Sequence, residues 1–191
     1  AAARIPAPTQ PDELAYLGLP AGTTEFSLDD LQSDMLIIDC FDMYCHACQS
    51  GAKRVHAIYD LVQERKLNDR IRFVGLGVGN TPLETASFKR KLNVPFPVFP
   101  DRSNDLARQF GTVRLPSLIV LRRESDAWRL IQHHSGIPTD VEEFVSHLLE
   151  DLNAASPELR ENGLHAGLPV CESDACPAPI QAADARDTRP L

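Results

Sequence analysis

The feature that most constrains this 191-residue chain is a pair of cysteines, Cys45 and Cys48, that closely follows an apolar segment at residues 35–41. That segment is rich in β-branched residues and does not alternate with polar ones, which is typical of a strand buried on both faces of a sheet. After the cysteines, apolar residues recur at helical spacing as far as Val62. The pair is therefore predicted to lie where a buried strand gives way to a helix.

The remainder of the chain first repeats this strand–helix order and then changes. Residues 71–78 are predicted to form a second buried strand, and residues 81–84 begin a helix with a capping box. A proline-interrupted segment at 96–99 predicts an edge strand, and residues 117–131 predict a β-hairpin. A closing helix is expected to start with a capping box on Thr139. Together these units predict an α/β fold with a mixed central sheet flanked by helices.

Composition divides the chain into three parts. Residues 1–23 are rich in alanine and proline and are expected to form an extended lead-in. A single domain is predicted over residues 24–152. Residues 153–191 lack periodicity and are expected to form a C-terminal tail, which carries a second cysteine pair, Cys171 and Cys176.

Charge and hydropathy exclude some partners and suggest a compartment. The formal net charge is −8, which argues against binding to nucleic acid or to an anionic membrane. No apolar run reaches the roughly 20 residues that span a bilayer, so no transmembrane segment is predicted. The opening at residues 1–4 fits a mature chain cut after a signal peptide, which predicts a periplasmic or otherwise extracytoplasmic location. The same opening equally fits a chain that was trimmed for expression.

The predicted position of the cysteine pair has chemical consequences. Unpaired N–H groups and the dipole at a helix start favour a thiolate, the form of cysteine that attacks disulfides. Cys45, at the exposed end, is predicted to be the attacking thiol, and Cys48, one turn further in, the resolving thiol. His46 is expected either to stabilise the thiolate or to be an ordinary exposed histidine. Because the two sulfurs are the redox centre, no organic cofactor and no metal is expected.

Three other functions remain open on the residues alone. Cys45, Cys48, Cys171 and Cys176 could together hold zinc in an interaction module. The protein could instead be a peroxiredoxin-like thiol peroxidase, or a binding domain without redox activity. The tail pair could be a second redox pair that exchanges with the first, or a local disulfide that staples the tail.

Several motifs resemble the thioredoxin superfamily. Asp39 lies six residues before Cys45, where thioredoxins carry a buried aspartate at the end of the central strand. Residues 110–117 resemble the segment that holds the family's cis-proline, which makes Leu115 and Pro116 expected active-site neighbours. The resemblance implies that Asp39 transfers the proton of Cys48 and that the substrates are protein thiols or disulfides. It also implies an upstream redox partner.

A TlpA-type thiol–disulfide oxidoreductase is the nearest resemblance within that superfamily. The additional strand and helix at residues 71–100 resemble the insert of these proteins and of peroxiredoxin relatives. Residues 26–38 resemble the N-terminal hairpin of the TlpA-type proteins. The chain departs from the family around the cysteines. Tyr44 stands where tryptophan is usual, and His46 and Ala47 replace the usual dipeptide between the cysteines. Asp42 stands where a peroxiredoxin has threonine or serine, which makes the peroxidase the weaker alternative.

Overall fold

The computed structural model describes residues 4–111, 114–125 and 127–154. Residues 155–191, which hold all but the first two residues of the predicted tail and include Cys171 and Cys176, lie outside these ranges. Seven strands and five α-helices follow one another along the described chain, in the order β1 (Ile5–Pro6), α1 (Pro11–Leu17), β2 (Glu25–Phe26), β3 (Met35–Phe41), α2 (His46–Glu64), β4 (Ile71–Val78), α3 (Pro82–Leu92), β5 (Val98–Asp101), α4 (Asp105–Gln109), β6 (Ser117–Glu124), β7 (Ala127–Ser135) and α5 (Val141–Ala154).

Five of the strands form a mixed central sheet in the order β5-β4-β3-β6-β7. Strands β3, β4 and β5 run parallel, whereas β6 and β7 are antiparallel to their neighbours. All seven residues of β3 are buried, as expected for a strand in the middle of a sheet covered on both faces. The predicted α/β fold, the hairpin of β6 and β7 and the edge position of β5 are thereby confirmed.

Each face of the sheet has its own apolar core. On one face, Ile37 and Phe41 pack with the buried side chains of α2 and α5. On the other, Ile38 and Cys40 pack with those of α1 and α4. Successive side chains of a strand point to opposite faces, so Asp39 lies on the α2 side together with Ile37 and Phe41. This alternation places the Asp39 carboxyl beneath the helix that carries the cysteines.

The extended lead-in predicted over residues 1–23 is wrong for its described part. Residues 11–17 form α1, whose Leu14 and Leu17 are buried in the core. The helix has only seven residues, which is too few to produce a clear helical period in the sequence. Strand β1 pairs with β2 through Ile5 and Phe26. The predicted N-terminal hairpin is therefore corrected as well, because β2 pairs with β1 and not with β3.

The helix starts test the capping predictions. At α3 the Thr81 side chain accepts a hydrogen bond from the Glu84 amide, and the Glu84 carboxylate accepts one from the Thr81 amide, so that capping box is confirmed. At α5 the predicted cap on Thr139 is wrong. The Asp140 carboxylate accepts from the Glu143 amide at 2.9 Å, because the helix starts one residue later than the capping pattern suggested. Within the described residues, no helix combines the length and apolar character needed to cross a membrane.

Candidate active site

The two cysteines lie at the carboxyl end of the central strand, the edge of an open α/β sheet where ligands usually bind. Cys45 is the N-cap of α2, and its Sγ accepts a hydrogen bond from the Cys48 amide at 3.1 Å. Cys45 is half-buried and Cys48 is buried, and both are thiols rather than a disulfide. The structure thus brings the pair together at a helix start, with Cys48 more deeply buried than Cys45.

An N-cap sulfur that accepts a backbone N–H is suited to carry negative charge. The first N–H groups of a helix have no partner within the helix, and its dipole adds positive potential at this end. A hydrogen bond from an amide to a sulfur stabilises the thiolate more than the thiol. The geometry at Cys45 therefore favours nucleophilic attack by this sulfur.

Cys48 has the opposite electrostatic setting. Burial, a hydrogen bond with the Cys45 side chain and the negative charges of Cys45 and Asp39 raise the pKa of the Cys48 thiol. A hydrogen bond from the Asp42 backbone lowers this pKa but does not offset the rise. Cys48 is consequently a neutral thiol at neutral pH, and it needs a base before it can attack a disulfide.

Asp39 is the ionisable group placed to act as that base. Its side chain is buried within the sheet, and burial raises the pKa of its carboxyl to about 7. No described residue donates a hydrogen bond to this carboxyl. Its charge acts on Cys48, since it contributes to the raised pKa of that thiol. A carboxyl with a pKa near neutrality can take up and release a proton during turnover.

The remaining predicted site residues lie around the pair. The peptide bond between Leu115 and Pro116 is cis, as the resemblance implied. Pro116 directly precedes β6, whose first residue pairs with Cys40 of β3, and Leu115 packs against the apolar cluster that contains Cys48. His46 is exposed in the first turn of α2. Ala47 is exposed in the same turn.

Tyr44, another of the predicted supporting residues, is exposed, with 70% of its surface accessible. Its hydroxyl donates a hydrogen bond to the Glu84 carboxylate at 2.8 Å, so it links the cysteine loop to the start of α3. This hydrogen bond raises the pKa of Tyr44. The side chain therefore lies across the surface between Cys45 and α3 instead of packing into the core.

Asn80 is a site residue that the sequence reasoning missed. It follows β4, is buried, and accepts a hydrogen bond from the Met43 amide at 2.9 Å. Its own amide group donates to the Asp42 carboxylate at 2.8 Å. The available signal was its position, because a polar residue just after a parallel strand lies at the same sheet edge as the end of β3.

A metal at the pair would need more ligands than this region supplies. Among residues 4–111, 114–125 and 127–154, no group of three or more histidine, cysteine or acidic side chains is arranged to hold an ion. The zinc alternative also requires Cys171 and Cys176, which lie outside those ranges. The second redox pair formed by the same two cysteines is likewise still a prediction.

Comparison with known proteins agrees with the fold. A family model described as thioredoxin-like matches residues 33–126. Among solved structures, a thiol:disulfide interchange protein DsbE from Chlorobium tepidum has a TM-score of 0.59 at 15% identity, over 80% of this chain and 94% of that chain. StoA from Bacillus subtilis has a TM-score of 0.52 at 13% identity, over 80% and 98%.

A secreted Mycobacterium tuberculosis disulfide oxidoreductase, homologous to Escherichia coli DsbE, has a TM-score of 0.52 at 15% identity, over 66% of this chain and 89% of that one. No curated protein sequence matches the chain significantly. Identities this low demonstrate a shared fold, and that fold is thioredoxin-like. The match to the thioredoxin-like family model covers β3 to β6 of that fold.

Proposed function

We propose that the protein is a thiol–disulfide oxidoreductase that exchanges its Cys45–Cys48 dithiol or disulfide with cysteines of other proteins. The observation that carries the proposal is the 3.1 Å hydrogen bond from the Cys48 amide to the Cys45 sulfur. It places a half-buried nucleophile at a helix start directly above a buried second thiol. This arrangement supplies both sulfurs that a two-step exchange requires.

In the first step, the Cys45 thiolate attacks one sulfur of a client disulfide. A bond forms between the Cys45 sulfur and that client sulfur, the client S–S bond breaks, and the other client sulfur leaves as a thiolate that takes a proton from water. The Cys48 amide, at 3.1 Å, and the helix dipole stabilise the attacking charge before the step occurs.

In the second step, Cys48 releases the client. Asp39 accepts the Cys48 proton, the resulting thiolate attacks the Cys45 sulfur, and the second client sulfur leaves. Two electrons have then passed from the dithiol to the client, and the protein holds a Cys45–Cys48 disulfide. The same steps in reverse oxidise a client dithiol, so the reduction potential of the pair decides the direction.

The proposed clients and location follow from the same chemistry. The substrates are protein thiols or disulfides, and an upstream redox partner restores the pair after each turnover. An extracytoplasmic location is proposed because disulfides persist in oxidising compartments, and one structural relative is described as secreted. The additional strand and helix, β4 and α3, support the proposal that the protein is of the TlpA type.

The test is disulfide exchange by the full-length chain and three cysteine variants. Wild-type protein is expected to reduce insulin with dithiothreitol as the electron source. Cys45→Ser should abolish this activity, and Cys48→Ser should trap a mixed disulfide between the client and Cys45 that peptide mass spectrometry identifies. Cys40→Ala is the matched control, because Cys40 packs on the opposite face of the sheet and should not be needed.

Two outcomes would overturn the proposal. One is an absence of exchange by the wild-type chain, or full activity in Cys45→Ser. The other is stoichiometric zinc with thiols that resist alkylation, which would identify a zinc module. A potential near about −270 mV would indicate a reductant and one near about −120 mV a strong oxidant, and either value is compatible with exchange.

A further inference from the structure

The loop that joins β3 to Cys45 is held mainly by side chains. The Met43 amide donates to the Asn80 side-chain oxygen at 2.9 Å, and the Met43 carbonyl accepts from Gln49 at 2.7 Å. The Asp42 carbonyl accepts from the Cys45 amide at 3.0 Å, and the Asp42 carboxylate accepts from the Tyr44 amide at 3.1 Å. The backbone just before the nucleophile is therefore fixed by a small number of polar contacts.

Asn80 is the member of this network that comes from a different part of the chain. It is only 3% exposed, and both ends of its amide are used, one by Met43 and the other by Asp42. Its backbone N–H donates to the Gly77 carbonyl at 3.1 Å, which folds the chain back over the end of β4. A Cβ on Gly77 would collide with the Thr85 side chain and lie 3.1 Å from the Asn80 Cβ, so the missing side chain at Gly77 leaves room for both residues.

We propose that Asn80 is a positioning residue for the redox pair, which acts through the Asp42–Met43 backbone and the Asp42 carboxylate. The inference rests on the proposed function, and it adds a residue that touches neither sulfur. Asn80 fixes the loop that sets the Cys45 sulfur against the Cys48 amide. It also supplies a hydrogen-bond donor to the one carboxylate within that loop.

The physical consequence concerns the stability of the reduced form. Without Asn80, the Met43 amide loses its acceptor and the loop gains freedom, so the Cys45 sulfur spends less time within reach of the Cys48 amide. The Asp42 carboxylate loses a donor, and its negative charge disfavours a nearby thiolate more strongly. A less stable thiolate reacts more slowly and makes the reduced form less favourable, which shifts the reduction potential to more negative values.

The first experiment compares wild type with Asn80→Ala in the full-length chain. Alkylation of Cys45 at neutral pH, followed by peptide mass spectrometry, is expected to slow by about five- to tenfold. The potential of the pair against glutathione is expected to fall by up to about 30 mV, which corresponds to a tenfold change in the exchange constant.

A swap of the two side chains tests the mechanism itself. Asn80→Asp alone places two carboxylates together and is expected to slow alkylation at least as much as Asn80→Ala. In the double variant Asp42→Asn/Asn80→Asp, the new amide can donate to the new carboxylate, which still accepts from the Met43 amide. The double variant is expected to return to within about threefold of the wild-type rate.

The control is Asp101→Ala, which removes a different buried side chain that likewise makes two hydrogen bonds, in its case both with backbone amides. It should lower the thermal midpoint by an amount similar to Asn80→Ala and leave the alkylation rate and the potential unchanged. An unaltered potential and rate in Asn80→Ala would overturn the inference, as would a double variant no faster than Asn80→Asp. Failure of the proposed function would appear separately, as a wild-type chain that does not exchange disulfides.

Discussion

Two buried aspartates in the same sheet have different surroundings. Asp39 and Asp101 are each 5% exposed. The Asp101 carboxylate accepts hydrogen bonds from the backbone amides of Leu106 at 3.3 Å and Ala107 at 2.9 Å, at the start of α4. Asp39 receives no hydrogen bond from any described residue, and burial raises its pKa to about 7. The two carboxyl groups are therefore equally buried and differ in the hydrogen-bond donors around them.

The comparison separates a structural carboxylate from one that is available for proton transfer. Amide donors stabilise the charged form of a buried carboxylate and tie it to one position. A buried carboxyl without donors is destabilised when charged, so its proton is exchangeable near neutral pH. Only Asp39 has this second property, and only Asp39 lies where its charge acts on a cysteine.

The largest expected effect is on the pH dependence of stability. The pKa of Asp39 is about 7 in the folded protein against 3.8 for the unperturbed group, so folded protein binds a proton that the unfolded chain has lost. The contribution of Asp39 to stability is therefore fully present below about pH 4 and is lost as the pH rises through about 7. The loss amounts to up to about 4 kcal/mol.

Asp39→Asn should remove this dependence, because the amide is neutral at every pH. Urea denaturation of reduced protein at intervals between pH 4 and pH 8 would measure it, with the variant more stable than wild type at pH 8. If the unfolding free energies of wild type and Asp39→Asn changed with pH in the same way, the raised pKa of Asp39 would be contradicted.

The second effect is on the resolving step. Asp39→Asn leaves the Cys48 thiol without its base, so release of a client from the mixed disulfide is expected to slow by about 100-fold at neutral pH. Stopped-flow measurement of that step against pH would show it, and an unchanged pH profile would exclude the proton-transfer role. Asp101→Asn is the matched control and should leave the rate within about twofold of wild type.

The third effect belongs to the structural carboxylate. Asp101→Ala leaves the amides of Leu106 and Ala107 without their acceptors at a buried helix start, which is expected to cost about 2 kcal/mol of unfolding free energy. Chemical denaturation at one pH measures this cost. A change below the experimental error would show that the two amides find other partners.

The smallest effect shows how the cost of losing a cap depends on burial. Thr81 caps α3 much as Asp101 caps α4, but it is partly exposed. Thr81→Ala is expected to cost about 1 kcal/mol, because water can replace some of the lost hydrogen bonds. A cost equal to that of Asp101→Ala would remove burial as the reason for the difference.

The sequence predicted the elements that are specified by local pattern. The apolar segments gave β3 and β4, Thr81 and Glu84 gave the start of α3, and the cysteine spacing placed the pair at the start of α2. Asp39 could be singled out because its offset from Cys45 resembles a known family. Its burial and its raised pKa then agreed with the expectation.

What the sequence did not provide depends on contacts between distant residues. Asn80 lies 37 residues from Met43, and the two meet only because β3 and β4 pair in parallel with their ends aligned. The packing of α1 depends in part on Tyr16, whose hydroxyl oxygen accepts a hydrogen bond from the Phe73 amide at 2.8 Å. Neither contact leaves a periodic pattern in the chain.

The exposure of His46 and Ala47 has an evolutionary consequence. Both lie in the first turn of α2, next to the reactive sulfur and outside the packed interior. Substitutions at these two positions can therefore alter the electrostatic environment of Cys45 while the side chains that stabilise the fold stay unchanged. A lineage could adjust the redox strength of such a protein by surface mutations alone, without first acquiring compensating changes in the core.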